Sequence, residues 1–547
     1  MQKLIKIIKL INYYYKFCDI IKEIKVYGRL DDMSKTVKIV IAVVIGVLLV
    51  VGIGGAATYY FMKNSPKNTY LLSEQETAKQ MQEYAEDRFE NEFKFQDKMK
   101  DESYLISLDA SADVPEKLLK SSDIPKSAID ASGLGFKMGH DPENEKSVLA
   151  LNPTVADNEI GEFQWAADKD NQYYSAPILD DVYKAKNDEL VDVYEKLTGE
   201  TVDSSSTSSS SSFSSSSSSM NSTNSAITND TLNLNSLLSG TQISQEKVEK
   251  ISERYSELII DKLDDDNFEK EDDKIDVDGE EKDTNKVTMN ISKAETKSIL
   301  TAVLEKAKED KDIKGIAEDQ FNAEAYDDSI DEALEEVKDA DKDEFPSIKS
   351  VIWEDDNQIL KRDLTLKDNS GAEIKLEGTS LIDDDKLVMD YNVSADEAKI
   401  SLKGESTKGD DKYEDKYTLG FDDGIKESDI KVTNKETVDG NKRTDKGDVE
   451  ISANYDETTI EYENKLETDV KNNSQKQDLD ITTEVQYEPV TVNIKGETKL
   501  KEDIKFDKAG AKDLNTMSNS DFSKLQKEIS DNAGDILKDV VKDLEDK

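Results

Sequence analysis

Nucleophilic and acid–base chemistry most often recruits a histidine or a poised thiol, and this chain has one of each, His140 and Cys18. His140 lies in Lys137-Met-Gly-His-Asp-Pro, a turn-like context that predicts a solvated loop residue. No serine sits in a GxSxG elbow, which would present its hydroxyl to such a base. A single cysteine excludes an internal disulfide, and one member of each type excludes a Cys/His metal cluster. P-loop, dinucleotide and HExxH patterns are absent from the sequence.

Carboxylates are the abundant reactive group, with 121 Asp and Glu against 72 Lys and Arg and a formal net charge of −49. A body this acidic repels phosphates, so nucleic acid is excluded as a partner. Glycoside hydrolysis needs a carboxylate pair and usually sugar-stacking aromatics. The two tryptophans, Trp165 and Trp353, are few for that purpose, and no pair of acids stands out. Asp276-Val-Asp278-Gly279 resembles the middle of a calcium loop, but Lys274 and Asn285 occupy its end ligand positions. Asp339, Asp341 and Asp343 have ligand-like spacing, with Glu344 at the turn glycine and Ser350 at the bidentate glutamate. The sequence therefore assigns no catalytic, cofactor-binding or metal-ligating residue, and neither an enzyme nor a cofactor is expected.

The charge is unevenly placed. Residues 1–63 carry ten Lys and Arg against four acids, a net of +6, which leaves −55 on the remainder. Between the two regimes Ile39 to Met62 is uncharged over 24 residues, long enough to span a bilayer core of about 30 Å as a helix. Tyr59, Tyr60 and Phe61 supply an aromatic belt, and the basic residues put the N-terminus in the cytoplasm and the bulk outside. Gly52 and Ala56 form a small-xxx-small pair suited to helix pairing. Translation from Met1, with a basic cytoplasmic segment, and translation from Met33 both fit.

Beyond this stretch, Ser73-Glu-Gln-Glu76 reads as a capping box before an amphipathic helix with Ala78, Met81, Ala85, Phe89, Phe93 and Met99 on one face. Tyr104, Ile106, Leu108 and Ala110 alternate as a strand, with further strand-like pieces at Lys146–Leu151 and Glu162–Ala167. A second helix is expected over Ile178–Leu197. Ser204–Ser219 is serine apart from Thr207 and Phe213, a linker or extruded loop. Helical stripes resume at Val248–Leu263 and after the capping box Ser292-Lys-Ala-Glu295. From Ser347 to about Asp503 the period becomes two, with sets such as Leu387/Met389/Tyr391/Val393, Tyr417/Leu419/Phe421 and Val490/Val492/Ile494 on one face. That pattern predicts an antiparallel meander with one wet side. Ser520–Leu544 closes the chain as an amphipathic helix expected to cover the sheet.

The expected fold class is α+β: an N-terminal transmembrane helix, then an extracytoplasmic curved antiparallel sheet packed against amphipathic helices. Its divisions are a basic segment 1–38, the span 39–62, a membrane-proximal α+β region 63–203, a Ser-rich linker 204–240, an acidic helical region 241–346, the meander 347–503 and a closing helical segment 504–547. The anchor, the segment Asn68-Thr-Tyr-Leu-Leu72, the meander and the closing Asp513-Leu-Asn-Thr-Met-Ser518 resemble uncharacterised single-pass surface proteins of Gram-positive bacteria. The sheet-plus-helix pattern is also similar to the curved half-barrel of bacterial lipoprotein carriers.

These resemblances imply a membrane protein with its bulk at the cell surface, anchored through Ile39 to Met62. Its expected partner is a lipid or other apolar ligand held between sheet and helices, or an envelope protein. A surface spacer with a packed core is the alternative, and a carboxylate-dependent hydrolase the third.

Overall fold

The computed structural model describes residues 65–120, 124–199, 227–239, 245–320, 323–395, 397–453 and 456–545. Its first long element is a helix in two parts, α1 (Pro66–Arg88) and α2 (Glu90–Asp101), joined at Phe89. Ser65 caps it by accepting from the Asn68 amide, and Pro66 fills the first turn, where its missing N–H costs nothing. The helix thus begins before the expected box, and Ser73 is interior to it, its hydroxyl bonded back to the Thr69 carbonyl.

Among the described residues the strands form one sheet. After α2 come β1 (Tyr104–Asp113), β2 (Gly133–Asp141), β3 (Lys146–Val155), the short β4 (Asn158–Glu159), β5 (Phe163–Ala167), β6 (Asn171–Ser175) and β7 (Tyr183–Lys186). Helices α3 (Leu190–Thr198), α4 (Leu234–Ser239) and α5 (Gln245–Ile260) precede the hairpin β8 (Phe268–Val277) and β9 (Glu280–Ile291). Three more follow, α6 (Lys293–Glu309), α7 (Lys311–Gln320) and α8 (Ala323–Asp339).

The meander then runs through β10 (Ser347–Asp355), β11 (Gln358–Lys367), β12 (Glu373–Asp383), β13 (Lys386–Ala395), β14 (Ala398–Gly409) and β15 (Lys412–Asp422). It continues through β16 (Glu427–Asp439), β17 (Lys442–Ala453), β18 (Asp456–Asp469), β19 (Ser474–Val485) and β20 (Glu488–Leu500). Two-residue turns with both residues left-handed, such as Asp278-Gly279 and Asp356-Asn357, twist the hairpins in the hand the strands need. The chain ends with β21 (Lys512–Asp513) and α9 (Asn519–Glu545).

Pairing carries the sheet past both ends of the meander. β9 pairs with β10, and β1 inserts between β20 and β2, so β2, β3, β5, β6 and β7 continue the same surface. The segment after β20 crosses the outward face of those strands, burying Ile504 and seating Phe506 against Tyr173. It then lays β21 in parallel beside β7.

Besides α2, whose Phe95 and Met99 pack with Tyr104, Ile106, Met138 and Leu500, helices cover the inward face at its two ends. At one, Ile259, Leu300, Leu304 and Val337 pack on Val287, Ile291, Ile348 and Ile352. At the other, Leu190 and Val193 of α3 meet Phe522 and Leu525 of α9 over Tyr183 and Ala185.

The expected fold class is therefore corrected. In place of a curved sheet confined to 347–503 there is one long sheet that takes strands from both halves of the chain, because β1 finds its partner in β20 rather than among its sequence neighbours. The closing helix does not cover the meander; it packs on β7 and α3. The expected second helix is a strand, β7, followed by the shorter α3, which Gly199 ends in a left-handed cap. No described helix is long and apolar enough to cross a membrane. The expected span Ile39–Met62, the basic segment before it and the serine tract Ser204–Ser219 lie outside the described residues.

Candidate functional site

Antiparallel register places the inward side chains of successive strands side by side. Val393 lies beside Ile400, and Ile400 beside Phe421. Tyr391 is followed across the sheet by Leu402, Leu419, Ile430 and Ile451. Tyr417 leads to Val432, Val449 and Ile460, and Tyr462 to Ile481 and Val492. Leu479 leads through Ile494 and Ala110 to Leu134, and Leu108 through Phe136 and Leu151 to Phe163. Met138 then leads through Leu149, Trp165 and Tyr174 to Tyr183.

The result is an apolar band about two side chains wide that moves diagonally across the strands. From β12 to β5 it crosses thirteen strands, roughly 60 Å at about 4.8 Å per strand. Between the two helical ends its side chains are half-buried or open, with Leu402 36% exposed, Val492 38% and Leu134 43%. Among the described residues this is an apolar tract of unusual extent for a chain this charged.

One long side of the band is bounded by α1 and α2, which run across the strand ends. Tyr70 bonds to Ser350 on β10 at 2.7 Å, Glu74 to Arg362 on β11 at 2.5 and 2.6 Å, and Tyr84 to Ser406 on β14 at 2.8 Å. Arg88 reaches Asp415 on β15 at 2.7 and 2.9 Å and Glu436 on β16 at 2.7 Å. Arg443 on β17 bonds Glu436 and Glu92, and Lys98 takes the Val470 carbonyl at 2.6 Å and Asn473 at 2.9 Å beyond β18. From Tyr70 to Lys98 the helix advances about 42 Å at 1.5 Å per residue, close to the roughly 40 Å from β10 to the β18–β19 turn.

Thr77, which accepts from the Ile359 amide at 2.8 Å, and Gln80, which accepts from Gln358 at 2.7 Å, lie between these anchors, so most of the face on the sheet is polar, and Phe95 and Met99 are its apolar part. Phe93, placed on that face by the sequence, is 40% exposed. Burial favours neutral Asp415, yet the hydrogen bonds from Arg88 outweigh it and hold the carboxyl below its usual range. For Glu436 burial prevails over the same arginine, and its pKa is raised.

Inward glycines lie beside tyrosines along the band. Gly378 pairs with Tyr391, Gly404 with Tyr417 and Gly447 with Tyr462. A Cβ at Gly378 would sit 2.3 Å from the Tyr391 ring, and one at Gly404 2.4 Å from that of Tyr417. The rings therefore lie over bare backbone, an arrangement that lets an aromatic shield a strand glycine. Their hydroxyls turn to protein partners: Tyr391 to Ser380 at 2.9 Å and Tyr462 to Asn434 at 3.0 Å. Burial pushes the Tyr462 phenol up to about 12.

Past β5 the band runs beneath α3 and α9 into a pocket of about 360 Å³, lined by Trp165, Tyr174, Leu179, Val193, Leu197, Leu232, Leu525 and Ile529 among others. Trp165 and Tyr174 stack on its floor, with centroids 6.4 Å apart and an 18° interplanar angle. The Trp165 indole N–H is spent on Gln172 at 2.8 Å. A wider hollow of about 640 Å³ opens on the outward face, where Gly133 and Gly135 leave room among Asp109, Lys137, Asn152 and Glu162. Its walls are largely polar.

His140 is buried on β2 rather than solvated in a loop. Its Nδ1 lies 2.8 Å from the Ser147 hydroxyl, which donates to Asn235 at 2.6 Å, and the Ser239 hydroxyl lies 3.3 Å from Nε2. Because the Ser147 proton goes to Asn235, the imidazole N–H is on Nδ1, and Nε2 accepts from Ser239. Burial lowers the pKa of the ring against the pull of Asp141. The hydroxyl beside the ring thus donates away from it, the reverse of an activated nucleophile.

The calcium-like residues are turn residues: Asp276 accepts from the Gly279 amide at 3.2 Å, and Asp278 pairs with Lys386 at 2.7 Å. Asp341 caps a 3-10 turn through the Asp343 amide. Among the described residues no three His, Cys, Asp or Glu side chains gather as metal ligands would.

No family model and no curated protein matches the chain. Among solved structures it is similar to a loop L8 deletion mutant of OmpT, an outer membrane protein of Vibrio cholerae. That match has 7% identity over 73% of this chain and 97% of the other, and its TM-score of 0.20 is too low for the folds to be equated.

Proposed function

We propose that this protein binds lipids by their acyl chains, laid along the inward face of its sheet. The observation that carries the reading is the unbroken apolar band between two helical caps. Its side chains offer no charge, and the hydroxyls of Tyr391 and Tyr462 are already taken. Its backbone groups are used in the strand ladder, so an added peptide strand finds partners only at the sheet's edges. What fits such a floor is flexible, unbranched hydrocarbon, each buried methylene of which contributes about 0.8 kcal/mol. One leaflet's chain spans about 15 Å, half the bilayer core, so roughly 60 Å of band holds more than one. The reading is one of binding rather than catalysis.

Native mass spectrometry of the full chain, purified without detergent and then offered stearate, tests it. Bound lipid masses are expected, with capacity above one chain per protein. A protein that carries no lipid and takes up no stearate would refute the proposal. A chain whose band is covered by its own residues outside those described, or by a second copy, would give that result.

A further inference from the structure

We infer that the pocket under α3 and α9 is a separate site, built for the methyl end of a single acyl chain. The inference rests on the lipid-binding reading but concerns a different part of the molecule. Three observations carry it. First, the floor is continuous: the inward row Leu149, Trp165, Tyr174, Tyr183 passes from the open band into the pocket without a polar side chain. Second, the pocket holds about 360 Å³, near the lower bound for ligand sites, which admits one chain and not two. Third, the walls offer no charge to a headgroup, and the hydroxyls in the lining are the phenols of Tyr174, Tyr183 and Tyr194. Leu179, Val193, Leu232, Leu525 and Ile529 are aliphatic, the Trp165 N–H is engaged, and burial pushes the Tyr174 phenol up to about 12. A charged headgroup therefore stays outside and the hydrocarbon end goes in.

The roof is assembled from segments far apart in sequence and held to the body by polar bonds. Glu528 of α9 accepts from the Asp180 amide at 2.8 Å, and Gln526 donates to the Leu197 carbonyl at 2.8 Å. Leu232, from the segment before α4, closes one wall. The pocket is thus walled by α3 and α9 where the band has no such wall, and a chain end inserted there is given a direction. The methyl terminus points toward β7 and the rest of the chain back along the band.

The chain's own fluorescence tests this. Of the two tryptophans, Trp353 is bonded to Asp273 at the other end of the sheet, so a Trp353→Phe variant leaves Trp165 as sole reporter. Stearate brominated near its methyl end quenches an indole it touches. Saturable quenching at one equivalent is expected, weakened at least tenfold by Leu232→Phe and unchanged by Lys431→Gln on the outward face.

Should Leu232→Phe fail to fold, as judged by circular dichroism, Leu179→Phe narrows the same pocket from a half-buried position. Absence of quenching, with stearate masses still on the protein, overturns the pocket and leaves the band. Quenching that neither pocket substitution weakens also overturns it. Quenching at one equivalent with no further uptake supports the pocket while refuting binding along the band.

Discussion

The Arg88 guanidinium meets the Asp415 carboxylate in two parallel hydrogen bonds of 2.9 and 2.7 Å, joining a helix to a strand 327 residues away. Both side chains are nearly sealed from solvent, and Glu436 beside them is more so. Removing the cation while leaving the two acids in place strands buried charge. Arg88→Met is therefore expected to cost about 3–5 kcal/mol in urea unfolding. A loss below about 1 kcal/mol would mean that water reaches the cluster. The triple change Arg88→Met, Asp415→Leu, Glu436→Gln removes the stranded charge and should be much milder than the single one, provided Arg443 keeps its bond to Glu92.

The glycine–tyrosine pairs predict intolerance at positions that would otherwise accept any strand residue. Gly404→Val should destabilise by about 1–3 kcal/mol, since its Cβ meets the Tyr417 ring at 2.4 Å. Adding Tyr417→Ala should recover part of the loss, a coupling that a double-mutant cycle reads directly. Strict additivity of the two changes would show that the ring does not lie over the glycine.

In the open band the reverse holds. Leu419→Glu and Leu402→Glu alter half-exposed or exposed side chains, so stability should move by only about 0.5 kcal/mol. Stearate uptake beyond the one chain in the pocket should nevertheless fall at least tenfold. If either variant instead loses several kcal/mol, the band is covered in the protein and is core rather than a binding face.

His140 gives the pH prediction. Its folded pKa lies below the usual value of about 6.5, so between those two values the unfolded chain holds a proton that the folded chain does not. Stability from this group is full above about pH 6.5 and declines as pH falls through the window, by at most about 1.4 kcal/mol per pH unit. His140→Gln should flatten that part of the stability profile and, at pH 7.5, cost about 1–3 kcal/mol from the broken chain of hydrogen bonds. A variant with the unaltered slope just below pH 6.5 would assign the effect to other groups.

What could be read in the sequence was whatever repeats locally. The meander was legible because Tyr417/Leu419/Phe421 and its fellows alternate within each strand, and Ser292 with Glu295 announces α6 by a local exchange of hydrogen bonds. The helix of α1 and α2 was legible as a helix, but its contact face was not, because Glu74, Tyr84 and Arg88 bind the sheet through polar groups. The junction of β1 with β20 pairs residues nearly 400 positions apart, for which no local signal exists. His140 resembled a turn residue because it follows Gly139; on β2 that glycine makes room for Ile504 of the crossing segment. The site as a whole was half visible. Each strand showed its apolar face, but the diagonal alignment of those faces, and Trp165 at their end, depends on register.

The helix pair α1 and α2 also sets a unit of growth. A hairpin inserted into the meander widens the sheet by about 9.6 Å, and the helix keeps step with it only by gaining six or seven residues, close to two turns. Shorter insertions would rotate every later anchor off the strand that receives it. Homologues of different size should therefore differ by paired additions, one hairpin with one heptad, and the capacity of the apolar floor would rise in the same discrete steps.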